Sequence, residues 1–89
     1  MLKEWKVERS GVVIRLVNSW VHGAKLYING DLKDFDKTLL ASPKYPMLSG
    51  SFANDRGHRE VIEVFGKSGL FSVHFVVCSN GEVIFDTRN

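Results

Sequence analysis

The sequence has a single cysteine, two prolines and no long apolar run. With only Cys78 present, an intramolecular disulfide is excluded, and a disulfide-stapled secreted module with it; a reducing, cytoplasmic setting is the expectation. A membrane helix needs about 18 or more consecutive apolar residues. The runs here last only a few, so no membrane partner is expected. The opening MLKEWKVERSG carries charges on both sides of its few apolar residues and does not read as a secretory signal. An excess of one charge sign is missing too. Twelve Lys and Arg against ten Asp and Glu leave a net charge of +2, too weak a bias to imply a polyanion partner.

What is present is the composition of a folded globular chain. Of 89 residues, 44% are hydrophobic and 25% charged, with six Phe, two Tyr and two Trp. One domain over residues 1–89 is expected, with a core of modest size: a chain this short buries roughly 60 to 65% of its unfolded surface.

The hydrophobic period is close to two along most of the chain, which predicts strands. Lys3 to Arg9 and Val12 to Asn18 flank Ser10-Gly11, and a two-residue loop there sets Arg9 opposite Val12, Val7 opposite Ile14 and Trp5 opposite Leu16. In that register Lys6 faces Arg15, a repulsion that Glu4 or Glu8 must relieve from the diagonal. Asn29-Gly30 marks a second hairpin, with Tyr27 opposite Leu32 and Lys25 opposite Asp34. Ala24, Leu26 and Ile28 then face Phe35, Lys33 and Asp31. Residues 36 to 46, with Pro43 and Pro46, read as a long loop crossing between sheets, with one helical turn possible at 37 to 41.

Met47 to Phe52 is a fifth strand, ended by the turn Asn54-Asp55-Arg56-Gly57. Arg59 to Phe65 and Leu70 to Cys78 then flank Gly66-Lys67-Ser68-Gly69, pairing Phe65 with Leu70 and Val64 with Phe71. The core face of this ribbon is expected to be Ile62, Val64, Phe71, Val73, Phe75 and Val77. Asn80-Gly81 forms another tight turn, setting Cys78 against Val83, Val77 against Ile84 and Val76 against Phe85. Seven or eight short strands joined largely by hairpins predict an all-β antiparallel sandwich, with a small barrel as the second architecture.

The chemistry is sparse. His22, His58 and His74 lack the spacing of a zinc site, and Asp31, Asp34 and Asp36 alternate with lysines rather than following a calcium-loop pattern. Neither a metal nor another cofactor is expected. Cys78, inside FVVC, reads as a small buried hydrophobe. Gly66 and Gly69 bracket Lys67 and Ser68, but a strand follows where a phosphate loop requires a helix. The basic groups Lys3, Lys6, Arg9, Arg15 and Arg56, His58, Arg59 are interrupted by Glu4, Glu8 and Glu60. Nucleic acid binding by a barrel therefore stands only as an alternative. His22, Asp55, Arg56 and His58 form a candidate polar site, and a small hydrolase is the second functional expectation, resting on His22, Asp55, His58 and Ser51 lying in or near connections.

The stretch from His22 through Gly23, Lys25, Tyr27, Ile28, Asn29 and Gly30 resembles the strand-turn-strand units of the Fas apoptosis inhibitory molecule family. The resemblance implies a non-enzymatic all-β fold in which repeated hairpins build a sandwich, and it assigns no membership.

The first functional expectation is a non-catalytic module acting through protein–protein contact or self-association. It rests on the reverse of the C-terminal ribbon, where Phe65, Leu70, Val76, Cys78, Val83 and Phe85 form an apolar surplus. A homodimer or another protein chain is the expected partner.

Overall fold

The computed structural model describes residues 2–19, 23–36, 45–68 and 73–88. Eight antiparallel strands form: β1 (Leu2–Arg9), β2 (Val12–Ser19), β3 (Gly23–Ile28), β4 (Asp31–Asp36), β5 (Leu48–Ala53), β6 (Arg59–Ser68), β7 (Val73–Ser79) and β8 (Glu82–Asp86). They make two four-stranded meanders, β1-β2-β3-β4 and β5-β6-β7-β8, packed together as a sandwich. Every neighbouring pair in either sheet is also a neighbour in sequence. Among the described residues no helix is long and apolar enough to cross a membrane.

Tight turns set the ladders. Ser10-Gly11, Asn29-Gly30 and Asn80-Gly81 all take positive φ at both residues, as a twisted two-residue hairpin requires. The first hairpin has the expected pairs Arg9–Val12, Val7–Ile14 and Trp5–Leu16, and Lys6 does face Arg15. Glu4 relieves that repulsion by accepting from Arg15 Nε at 2.8 Å while lying 3.9 Å from the Lys6 ammonium.

Three registers differ from the alternation read in the sequence. In β3–β4, Tyr27 pairs with Leu32 as expected, but Lys33 is bulged out, so Leu26 meets Asp34 and Lys25 meets Phe35. In β7–β8, Cys78 pairs with Val83 as expected, and the bulge then falls at Ile84; Val77 meets Phe85 and Val76 meets Asp86. The third difference is larger. Strand β6 runs on through Gly66 to Ser68, and Val64 pairs with Val77, six positions beyond Phe71. Asn80 fixes this register: its backbone N–H donates to the Val61 carbonyl (2.9 Å) and its side-chain oxygen accepts from the Val61 N–H (2.8 Å). A shift by an even number keeps each side chain on its face. Ile62, Val64, Phe75 and Val77 are accordingly buried where the pattern put them. Phe71, Leu70 and the 37 to 41 turn lie outside the described residues, as does most of the 36 to 46 connection.

The two meanders repeat one design. Asn29 holds Val13 of β2 as Asn80 holds Val61 of β6, through the same pair of hydrogen bonds. Each Asn-Gly turn is followed by two paired residues and then a bulge, at Lys33 in one half and Ile84 in the other. Inward positions correspond: Ile14 with Ile62, Leu16 with Val64, Leu26 with Val77. All six are nearly inaccessible and share one core with Ala24, Ile28, Leu48 and Phe75.

The halves differ at their seams. At one, β4 lies against β5: the Ser49 N–H donates to Asp34 Oδ2 at 3.0 Å, and Lys33 packs over Gly50. A Cβ at Gly50 would sit 2.8 Å from the Lys33 Cβ, so only glycine permits this approach. Val7 takes the Gly50 place in the other half, and β1 and β8 do not close in the same way. Trp5 bridges the sheets there, its ring edge-on to Phe75 with centroids 5.8 Å apart.

Candidate functional site

Three of the four polar residues read from the sequence, Asp55, Arg56 and His58, fall into one turn. Asn54, at the end of the β5–β6 hairpin, organises it: its side-chain oxygen accepts from the backbone N–H of Arg56 (3.0 Å) and of His58 (2.9 Å), and its own N–H donates to the His58 carbonyl (2.8 Å). The backbone of Arg56 and His58 is thereby fixed, while the side chains of Asp55, Arg56 and His58 are exposed. His22 lies outside the described residues, so three of the four stand together on one turn.

The side-chain amide of Asn54 points inward and donates to Glu60 Oε2 at 3.0 Å. Around this carboxylate the structure assembles a cluster that sequence reasoning missed. Glu60 is only 4% exposed, yet its Oε1 accepts from Arg9 Nε at 3.0 Å and from Ser79 Oγ at 2.7 Å, and Ser10 donates as well. A buried charge is costly unless every lone pair is met. Four donors from β1, two turns and β7 meet it here. They hold its carboxyl well below the usual range, at about 2, with Ser79 contributing most, then Ser10 and Asn54; burial opposes them, and Arg9 adds the last contribution.

A signal for this cluster was available. Glu60 shares the parity of Ile62 and Val64, so alternation pointed a carboxylate into the core and required donors around it. The internal repeat says the same: Glu60 and Ser79 occupy the places that Val12 and Ile28 take in the first half. Where one meander closes its end with two apolar side chains, the other uses a hydrogen-bonded pair. The consequence is a clasp. Arg9 and Ser10 belong to the first sheet, Glu60 and Ser79 to the second, and the carboxylate ties the ends of both.

Beside the clasp is an open hollow of about 420 Å³ lined by six consecutive residues of the first hairpin, Glu8 to Val13. The guanidinium of Arg9 reaches from the clasp toward this surface, and its side chain is 36% exposed. Among the described residues no group of three or more His, Cys, Asp or Glu is placed to hold a metal ion. Cys78 is buried, and that burial, followed by the nearby Glu63 carboxylate, raises its thiol above the ordinary value.

The apolar residues singled out on the C-terminal ribbon separate. Phe65, Val76 and Val83 lie with Cys78 on the outer face of the second sheet: Phe65 pairs with Val76, and Cys78 with Val83. Phe85 does not join them. The Ile84 bulge turns it to the Val77 side, where it packs against the core. Leu70 lies outside the described residues. Val61, not singled out from the sequence, shares the outer face and is 39% exposed beside Val83 at 59%. Phe65 and Val76 are half-buried, and Lys67 brings its ammonium to 6.0 Å from the Phe65 ring centroid. Neither a family model, nor a curated protein, nor a solved structure matches the chain.

Proposed function

We propose that this chain is a non-catalytic β-sandwich module that acts through protein–protein contact, using the outer face of its second sheet. The observation that carries the reading is the strip formed by Phe65, Val76, Cys78 and Val83, with Val61 on the same face beyond Glu63. It has two exposed valines at its margins, and it lies on the face turned away from the shared core. In a two-layer protein each sheet commits one face to the interior and leaves the other to water or a partner. Burying such a strip is favourable by roughly 25 cal/mol per Å² before the cost of association is subtracted. The reading is further supported by the clasp, whose Glu60 carboxylate is buried and engaged by Arg9, Asn54 and Ser79.

Methyl NMR over a concentration series from about 10 to 500 μM, a range that brackets micromolar self-association, tests the proposal. Concentration-dependent shifts at Val61, Val76 and Val83 that are lost on Val83→Glu are expected. Valine methyls that stay unchanged, both alone and against added protein partners, count against it.

A further inference from the structure

We propose that the chain forms a twofold-symmetric dimer in which β1 pairs antiparallel with β1 of a second copy, centred on Trp5. This contact is separate from the outer face of the second sheet and does not depend on it.

Backbone geometry opens this edge. The Val13 carbonyl accepts from Asn29, so alternate residues of β2 from Val13 turn their backbone groups toward β3. Val12, Ile14 and Leu16 therefore turn theirs toward β1 and engage Arg9, Val7 and Trp5. Leu2, Glu4, Lys6 and Glu8 are left with N–H and C=O directed away from the sheet. Among the described strands β2 is the sole neighbour of β1. The other edges are less available. β4 and β5 close on each other through Asp34, Ser49 and Lys33, and β8 has five residues interrupted by the Ile84 bulge.

Charge selects the partner and the register. Charged residues usually discourage edge pairing. In β1 the signs alternate, Lys3, Glu4, Lys6, Glu8, so the strand complements itself in one alignment. Centred on Trp5, Glu4 of each copy stands opposite Lys6 of the other, both in hydrogen-bonding positions, and the ladder runs from Leu2 to Glu8. Centring on Lys6 instead places Lys6 against Lys6 and Glu4 against Glu8. Centring on Val7 matches Lys6 with Glu8, but the Ser10-Gly11 turn then limits the ladder to Trp5 through Arg9. The Trp5 alignment is the longest one without like charges opposed. It also brings the two half-buried Trp5 rings together at a close, non-hydrogen-bonded pair, each already edge-on to its own Phe75. The result is one continuous eight-stranded sheet made from two first sheets.

The test is a charge exchange read by sedimentation velocity. Wild-type protein at about 100 μM, enough to populate a micromolar dimer, is expected to sediment as a dimer. Glu4→Lys and Lys6→Glu each oppose like charges at both inter-copy pairs, and each should weaken association roughly tenfold or more. Mixed in equal amounts, the two variants place two cations opposite two carboxylates, and the dimer should return. The double exchange E4K/K6E should dimerise by itself. Thermal melts confirm that each variant is folded; the Lys6 side chain is 63% exposed, so its replacement leaves the core alone. Val83→Glu should leave the dimer intact. A wild-type monomer at that concentration, single variants that dimerise normally, or a mixture that stays monomeric would each overturn the proposal. Loss of the dimer on Val83→Glu with the charge variants silent would overturn it as well, moving the contact to the second sheet.

Discussion

Glu60 holds its charge in a place built for apolar side chains, and its four donors decide how that charge responds to acid. Its folded pKa, about 2, lies below the unfolded value of roughly 4.3. A group depressed on folding stabilises fully above the unfolded pKa and loses that contribution as pH falls through the folded one. The clasp should therefore weaken between about pH 4.5 and 2. Urea midpoints across this window are expected to fall more steeply for wild type than for Glu60→Gln, which should be less stable at pH 7 and converge on wild type in acid. Parallel curves would mean that another carboxylate sets the acid response. Phe75 is the apolar counterpart. It is 1% exposed and packs edge-on to Trp5 from the facing sheet. Phe75→Ala should cost about 3 to 5 kcal/mol, much of the stability of so small a domain, read from denaturant midpoints.

Among the elements, the two Asn-Gly hairpins carry the most information per residue. Asn29 and Asn80 each hold a left-handed conformation, at φ of 51° and 49°, and each accepts from a valine N–H of the neighbouring strand. Alanine at either position adds backbone strain and removes that acceptor, so Asn29→Ala and Asn80→Ala should each cost about 1 to 3 kcal/mol in chemical melts. Similar costs at the two sites are expected because the two residues do the same work. These hairpins were legible in the sequence because Asn-Gly is local chemistry, and so was the burial of Ile62, Val64, Phe75 and Val77, which needs only parity. The β6–β7 register was not. Gly66, Lys67 and Ser68 have the composition of a turn, and what holds them in a strand is Asn80 gripping Val61 from far along the chain. The bulges at Lys33 and Ile84 were equally hidden, since one extra residue leaves no mark in an alternating pattern until Asp34 is seen to reach Ser49 and Phe85 to reach the core. Glu60 was legible as an inward carboxylate, whereas its donors on β1 and β7 were not.

Taken as a whole, the molecule is two like meanders sharing one core, fastened by the clasp at one end and the Gly50 approach along one side. Each ladder joins strands adjacent in sequence, so no pairing must first close a long loop. That has a kinetic consequence. Sandwiches built from distant pairings fold over milliseconds to seconds, and this one is expected near the fast end, about milliseconds, in stopped-flow refolding. Docking of one meander upon the other, which completes the shared core, is the step expected to be slow. The Arg9–Glu60 contact spans the two sheets and is expected to tighten after docking, beyond the barrier. Arg9→Gln, which removes the ion pair across the two sheets, should then raise the unfolding limb of a chevron plot and leave the folding limb nearly unmoved, so this contact lengthens the life of the folded state without hastening its arrival.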